Sequence, residues 1–195
     1  MTTIVVVKKL GQVAIAADTM TKYGSYMNER ATYIANHEKI FQLGQSYIGL
    51  SGPATADLAI KDFFARKKNN VKLDTPLEIF RIWNELHQVL KDEYFLNPTK
   101  DQDDSFESSR SRVLIANPHG IFGVDSYRFV QEFTKFYAYG SGSEFAMGAL
   151  FAAYDSDRSA SELATLAVKA AAEFDDATGE PITTYSLALK KQRAK

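Results

Sequence analysis

Thr3-Ile4-Val5-Val6-Val7-Lys8, followed at once by Gln12-Val13-Ala14-Ile15-Ala16-Ala17, decides how this chain is to be read. Two short apolar runs of β type meet near Gly11, and the pattern predicts an antiparallel hairpin ending at Asp18-Thr19. Met1-Thr2 stands directly ahead of it. Methionine is readily trimmed before a small residue, and a freed Thr2 would carry a hydroxyl and an α-amine on one residue. Those are a nucleophile and its general base. An α-amine has a pKa of about 7.7–8.0, near the pH at which a base is most effective. The dipeptide alone carries little weight, because Met-Thr is also an ordinary way to begin a strand.

Working outward, Lys39–Leu43 and Ser46–Leu50 read as two more strands about Gly44-Gln45. Residues 20–37 between the strand pairs are polar and read as irregular, with Gly24-Ser25 and Asn36-His37 as turn signals. Ser51-Gly52-Pro53 opens a helix whose apolar face is Ala56, Ala59, Ile60, Phe63 and Phe64. A second helix starts at Thr75-Pro76, with Glu78 completing a capping-box pattern. Its stripe is Ile79, Ile82, Trp83, Leu86, Val89 and Leu90. Residues 97–112 lack apolar periodicity and read as a long surface loop. Strands return at Val113–Ala116 and Ile121–Asp125 about an Asn117-Pro118-His119-Gly120 turn, and again near Thr134–Ala138. A third helix follows Gly140-Ser141-Gly142-Ser143, with Ala146, Ala149, Leu150 and Ala153 on one face. Ser159 or Ser161 caps a fourth, with Leu163, Leu166, Ala167, Ala170 and Phe174 directed inward. Ile182–Leu189 is a last strand, and residues 190–195 read as a solvated tail.

Strand blocks alternating with helix pairs argue against a doubly wound parallel sheet, which alternates single elements. The order fits one α+β domain over residues 1–195. Two antiparallel sheets packed face to face, with a helix pair outside each, would bury every apolar stripe.

Composition narrows the chemistry. The 195 residues are 45% hydrophobic and 24% charged, with net charge -1, so no field recommends nucleic acid or an anionic membrane as partner. There is no Cys, which removes thiolate nucleophiles, thiolate metal sites and disulfides. His37, His87 and His119 do not fall at metal-ligand spacing. No apolar run approaches membrane-spanning length, no signal peptide is visible, and the cytoplasm is the default location. No metal or cofactor is expected.

Two polar stretches could carry chemistry. Gly140-Ser141-Gly142-Ser143 is not a nucleophile elbow, since Tyr139 stands where the first Gly is needed. It is not a dinucleotide fingerprint either, since Phe145 replaces the third Gly. In isolation it reads as a strand-to-helix turn capped by Ser143. Asp175-Asp176 closes the fourth helix, where acid opposes the helix dipole. That conflict hints at a purpose.

Taken together, Thr2-Thr3-Ile4-Val5, Ala16-Ala17-Asp18, Lys39-Ile40, Gly49-Leu50-Ser51-Gly52, Tyr139-Gly140-Ser141-Gly142-Ser143 and Asp175-Asp176-Ala177-Thr178-Gly179 resemble one family in order. The chain is similar to the β-subunits of the proteasome and their HslV-type relatives, nearest to the small bacterial proteasome homologues. The resemblance implies a four-layer αββα sandwich of N-terminal nucleophile hydrolase type. It implies Thr2 as nucleophile after Met1 removal, Asp18 and Lys39 as the buried acid and base, and the Gly52 N–H as oxyanion donor. Ser141, Asp175 and Thr178 match the supporting residues around the terminal amine. Phe41 and Leu50 match the specificity pocket, implying preference for apolar side chains.

The resemblance also implies a self-compartmentalising endopeptidase acting on peptides or unfolded proteins, built as a homo-oligomeric double ring of twelve or fourteen chains. The small-residue face of the third helix would admit a neighbouring helix. No residue singles out an unfolding ATPase as partner. The chain departs from the pattern in a longer Asp18–Lys39 segment, in Pro53 after Gly52, in Thr178 for the usual Ser and in an extended 97–112 loop. As in the HslV-type proteins, no propeptide is expected ahead of Thr2, so trimming of Met1 alone would expose it. Two rival readings use the same residues: an amidohydrolase cutting a small amide, and a non-catalytic ring subunit. The latter is expected to lose the Thr, the Asp or the Lys, and all three are present.

Overall fold

A computed structural model describes residues 2–23, 27–67, 71–98 and 105–190. Met1, the Gly24-Ser25 turn signal, part of the 97–112 segment, and residues 191–195 of the tail lie outside the described residues. The elements in chain order are β1 (Thr3–Lys9), β2 (Gln12–Asp18), β3 (Thr21–Tyr23), β4 (Met27–Glu29), β5 (Ile40–Leu43), β6 (Ser46–Ser51), α1 (Ala54–Arg66), α2 (Pro76–Asp92), β7 (Arg112–Asn117), β8 (Gly120–Val124), β9 (Val130–Phe133), β10 (Phe136–Gly140), α3 (Ser143–Ala153), α4 (Ala160–Phe174) and β11 (Ile182–Ala188).

The first hairpin forms as its sequence predicts. Leu10 and Gly11 take positive φ values of 50° and 73°, the tight two-residue turn whose twist matches the strands. β1 and β2 become the centre of a four-stranded sheet in the order β10-β1-β2-β11. A five-stranded sheet, β5-β6-β7-β8-β9, packs against it. All the pairings in both sheets are antiparallel.

Successive side chains of a strand point to opposite faces, and here both faces of each sheet are covered. Ile4, Val6, Val13 and Ile15 meet Leu114, Ala116 and Ile121 between the sheets. Val5, Val7, Ala14 and Ala16 face α3 and α4. Ile48, Leu50, Val113, Ile115 and Phe122 face α1 and α2. Burial on both sides explains why β1 is a continuous apolar run rather than an alternating one. The result is the expected four-layer αββα sandwich.

Local signals explain most boundaries. The Thr75 hydroxyl accepts from Glu78 N and Pro76 is the first residue of α2. Ser159, not Ser161, caps α4, in a reciprocal capping box with Glu162. Asn117 Oδ1 accepts from His119 N and Gly120 N, closing the β7–β8 turn.

The structure differs from expectation at five places. Thr21–Tyr23 and Met27–Glu29 pair as a small β3–β4 ribbon rather than irregular chain. Val130–Phe133 adds an unforeseen edge strand, half-exposed and therefore without a strong apolar pattern. The α4 face is rotated: Leu163, Ala164, Ala167, Val168 and Ala171 are buried, whereas Phe174 is 68% exposed. On α3, Ala146 is fully buried inside its own protomer, so it offers no seat to a neighbouring helix, and Phe145 and Phe151 are large apolar side chains left exposed on it. Finally, Ser108, Ser109 and Ser111 are buried, so the end of the 97–112 segment is no surface loop.

Candidate active site

The start of the chain is clamped by the turn after β10. β1 lies between β10 and β2, with Thr3 opposite Gly140 and Ile4 opposite Ala17. Ser141 N donates to the Thr2 carbonyl at 2.9 Å. Gly140 has φ +111°, and a Cβ there would stand 1.7 Å from the Thr2 carbonyl oxygen. A Cβ on Gly142 would stand 2.4 Å from Thr3 Oγ1 and 2.8 Å from Ala171 Cβ. Close backbone approach therefore requires both glycines. Ser143 is not a cap: Gly142 is the N-cap residue, without a side-chain bond, and Ser143 is the first residue of α3. Gly142→Ala is expected to cost about 1–3 kcal/mol through overpacking. A lowered chemical-denaturation midpoint would report it.

Asp18, at the end of β2, is fully buried and takes four hydrogen bonds. Its Oδ1 accepts from Thr3 N at 3.0 Å and from Lys39 Nζ at 2.8 Å. Its Oδ2 accepts from Met20 N at 3.1 Å and Gly179 N at 3.2 Å. Lys39, just before β5, also donates to the Met20 carbonyl at 2.5 Å. Burial pushes the Asp18 carboxyl up, opposed by Lys39 and by the Thr3 and Gly179 amides. Burial likewise pushes the Lys39 ammonium down, opposed by Asp18 and, more weakly, Asp175. A lysine so placed gives up a proton more readily than a solvated one.

Asp175 is the C-cap of α4, where the dipole is unfavourable to a carboxylate. Two hydroxyls offset this: Ser141 Oγ donates to Oδ2 at 2.7 Å and Thr178 Oγ1 at 2.5 Å. Thr178 Oγ1 also lies 2.6 Å from Thr3 Oγ1, which accepts from Gly142 N at 3.1 Å. Since the Thr178 proton goes to Asp175, the Thr3 hydroxyl donates to Thr178. The chain of donors runs from the α3 N-terminus through Thr3 and Thr178 to Asp175. Nothing in the sequence marks Thr3 for this role, because a threonine at a strand start reads as β propensity.

A cleft of about 600 Å³ opens beside these groups. Thr2, itself only 5% exposed, Lys39, Leu50 and Gly52 line it. Phe41, matched to the pocket by resemblance, does not: its ring packs on Phe64 at 6.0 Å, against the α1–α2 layer. The longer Asp18–Lys39 segment contributes a wall, with Thr21, Lys22, Glu29 and His37 at the cleft. Lys22, the other lysine near the site, is bonded to Asp176. Ser111 reaches the cleft from the far side. The polarity of residues 20–37 and 105–111 conceals these contributions, which depend on long-range contacts. Among the described residues no cluster of three or more His, Asp or Glu could hold a metal ion.

No family model matches the chain. The proteasome subunit beta of Nanoarchaeum equitans is 26% identical over 210 residues, covering 97% of this chain and 94% of that protein. Thiobacillus denitrificans BPH, solved in complex with epoxomicin, has TM-score 0.91 and 48% identity, covering 97% of this chain and 100% of that one. A second structure of Thiobacillus denitrificans BPH gives TM-score 0.91 and 49% identity over 96% of this chain and 98% of that one. HslV from Trypanosoma brucei, at TM-score 0.70 and 19% identity over 95% of this chain and 99% of that one, shares the fold. The sandwich, with its strand order and helix pairs, is that of the N-terminal nucleophile hydrolases. The chain belongs to the proteasome β-subunit family, a family of threonine-type peptidases that form ring assemblies.

Proposed function

We propose that the protein is a threonine endopeptidase whose nucleophile is Thr2, exposed by removal of Met1. One observation carries the reading: the Lys39–Asp18 pair and the Ser141–Asp175–Thr178 cluster converge on the segment that starts at Thr2. In the proposed cycle the Thr2 Oγ attacks the substrate carbonyl carbon, and the α-amine takes the hydroxyl proton. The Gly52 N–H stabilises the oxyanion. Collapse breaks the C–N bond, and the leaving amine takes the proton. Water then hydrolyses the ester with the same amine as base, restoring Thr2. Lys39 keeps the amine unprotonated by charge repulsion, and Asp18 holds Lys39 through a charge-assisted bond. Leu50 supports a preference for apolar side chains at the cleft.

We further propose that the active sites are enclosed in a homo-oligomeric double ring of twelve or fourteen chains in the cytoplasm, degrading peptides or unfolded proteins. Exposed Phe145, Phe151 and Phe174 on the α3–α4 layer are available to a neighbouring copy. No helix among the described residues is long and apolar enough to cross a membrane.

The test pairs two mass measurements. Epoxomicin, which accompanies the Thiobacillus denitrificans relative, is expected to add covalently at Thr2, and peptide mapping locates the adduct. An unmodified N-terminal peptide with Met1 removed would defeat the catalytic reading. Native mass spectrometry at micromolar concentration is expected to give twelve or fourteen chains. A monomer or dimer that still cleaves peptides would defeat the chambered assembly alone.

A further inference from the structure

Behind Gly52 lies a second polar cluster that the proposed cycle does not use. Ser109 Oγ is 2.8 Å from His87 Nδ1, and His87 Nε2 is 3.2 Å from Glu107 Oε2. Hydroxyl, imidazole and carboxylate stand in the order of an acyl-transfer triad. It is not a second hydrolytic site. Ser109 and His87 are 6% and 7% exposed, neither lines the cleft, and Arg128 Nη1 donates to Ser109 Oγ at 3.2 Å. No substrate carbonyl can reach that hydroxyl.

The cluster instead fastens residues 107–111 to two other elements. Arg128 Nη1 donates to the Glu107 carbonyl at 2.7 Å, and its Nε donates to Asn84 Oδ1 of α2 at 3.1 Å. Lys91 of α2 donates to Glu107 Oε2 at 2.6 Å. Ser109 N donates to the Ser126 carbonyl in the β8–β9 turn at 2.6 Å. Arg110 and Arg128 both hold positive φ, at 55° and 68°, a left-handed conformation unfavourable for arginine that surrounding contacts must sustain. The fastened segment ends against the cleft. A Cβ on Gly52 would meet Ser111 Cα and Cβ at 3.0 Å and the Arg110 carbonyl at 3.1 Å. Residues 110 and 111 are therefore the surface on which the Gly52 backbone rests.

We infer that Ser109, His87 and Arg128 are positioning residues that set the height of the Gly52 backbone, and so the aim of its N–H at the developing oxyanion. This rests on the threonine peptidase reading. It separates two kinds of reaction at Thr2. Attack on a carbonyl places charge on an oxygen that Gly52 must meet. Michael addition to a vinyl sulfone places none on a carbonyl oxygen.

The test compares a peptide aldehyde with a peptide vinyl sulfone of the same sequence, on the assembled wild-type protein and on Ser109→Ala and His87→Phe. In both variants aldehyde inhibition and kcat are expected to weaken by about 10- to 100-fold, with KM and the vinyl sulfone labelling rate within about threefold of wild type. Equal losses with both probes would reduce the cluster to a merely structural role and overturn the inference. Unchanged aldehyde inhibition in both variants would overturn it too. A folded wild-type protein, with Met1 removed, that reacts with neither probe overturns the peptidase reading itself, and the inference with it.

Discussion

Thr2→Ala is expected to abolish peptide hydrolysis, lowering kcat by on the order of 10⁴-fold or more, and to remove all covalent labelling by threonine-directed electrophiles. The substitution takes away the oxygen with which the proposed cycle attacks its substrate and leaves the α-amine in place. The fold should be unaffected. The contacts that clamp the chain start use the Thr2 carbonyl, which alanine keeps, and the Thr3 hydroxyl and amide. Turnover of a fluorogenic peptide, measured beside native mass, checks both halves. Undiminished turnover in a correctly assembled variant would remove Thr2 from the mechanism and revive the readings that need no nucleophile there.

Lys39→Ala should be the second most damaging change, in two separable ways. Loss of the ammonium lets the Thr2 amine hold its proton to higher pH, so the acid limb of the pH–rate profile moves up. The rate at neutral pH should fall by about 10²- to 10⁴-fold. The same change leaves Asp18 buried without its counter-charge, which costs about 3–5 kcal/mol. The pH dependence of that loss has a definite sign. The Asp18 carboxyl is already pushed up by burial from its ordinary 3.8, and removing the cation pushes it further. The folded state then binds a proton that the unfolded state does not, between 3.8 and the raised value. Stability of the variant should therefore recover as pH falls through that window and decline as it rises. Denaturation midpoints across pH, alongside rates, test this. Equal activity at every pH would mean the wrong lysine has been named. Lys22, which lines the same cleft, would be the next to examine.

Much of the architecture is legible in the sequence because it depends on local rules. The β1–β2 hairpin follows from two β-type runs and a turn that Leu10 and Gly11 can make. The α2 start follows from Thr75, Pro76 and Glu78. The layer order follows from the need to cover both faces of two sheets. What the sequence hides depends on partners far away in the chain. Ser109 reads as loop because nothing near it in sequence announces His87 and Arg128. The β3–β4 ribbon has too few apolar residues to carry a period. Phe174 fits the helical period of α4, yet the helix turns it outward, where it meets Phe145 at 5.6 Å.

The candidate site divides the same way. Asp18, Lys39, Ser141, Asp175 and Thr178 are recognisable by resemblance, and the structure joins them through named bonds. Asp175 gives a purely physical hint as well, since an acid at a helix C-terminus needs a reason. The two hydroxyls that donate to it supply one. Phe41, matched to the pocket by resemblance, packs on Phe64 against the α1–α2 layer, since strand position alone does not tell which face a residue presents when both faces are buried.

The pinning of β1 between β10 and β2 turns the distance from the chain's start to its first strand into a ruler. Thr3 has a set partner on each side: Gly140 across the ladder and Asp18 through its amide. A strand cannot slide by one residue without turning every side chain to the opposite layer, so β1 cannot adjust to a start that is too long or too short. Deleting Thr3 would deliver a terminal threonine of the right chemistry to the wrong depth. Inserting one residue there would thrust the terminus past the amides of the Gly140–Gly142 turn. With Thr2 as the proposed processed terminus, a tag or fusion is expected to be tolerated at the other end of the chain.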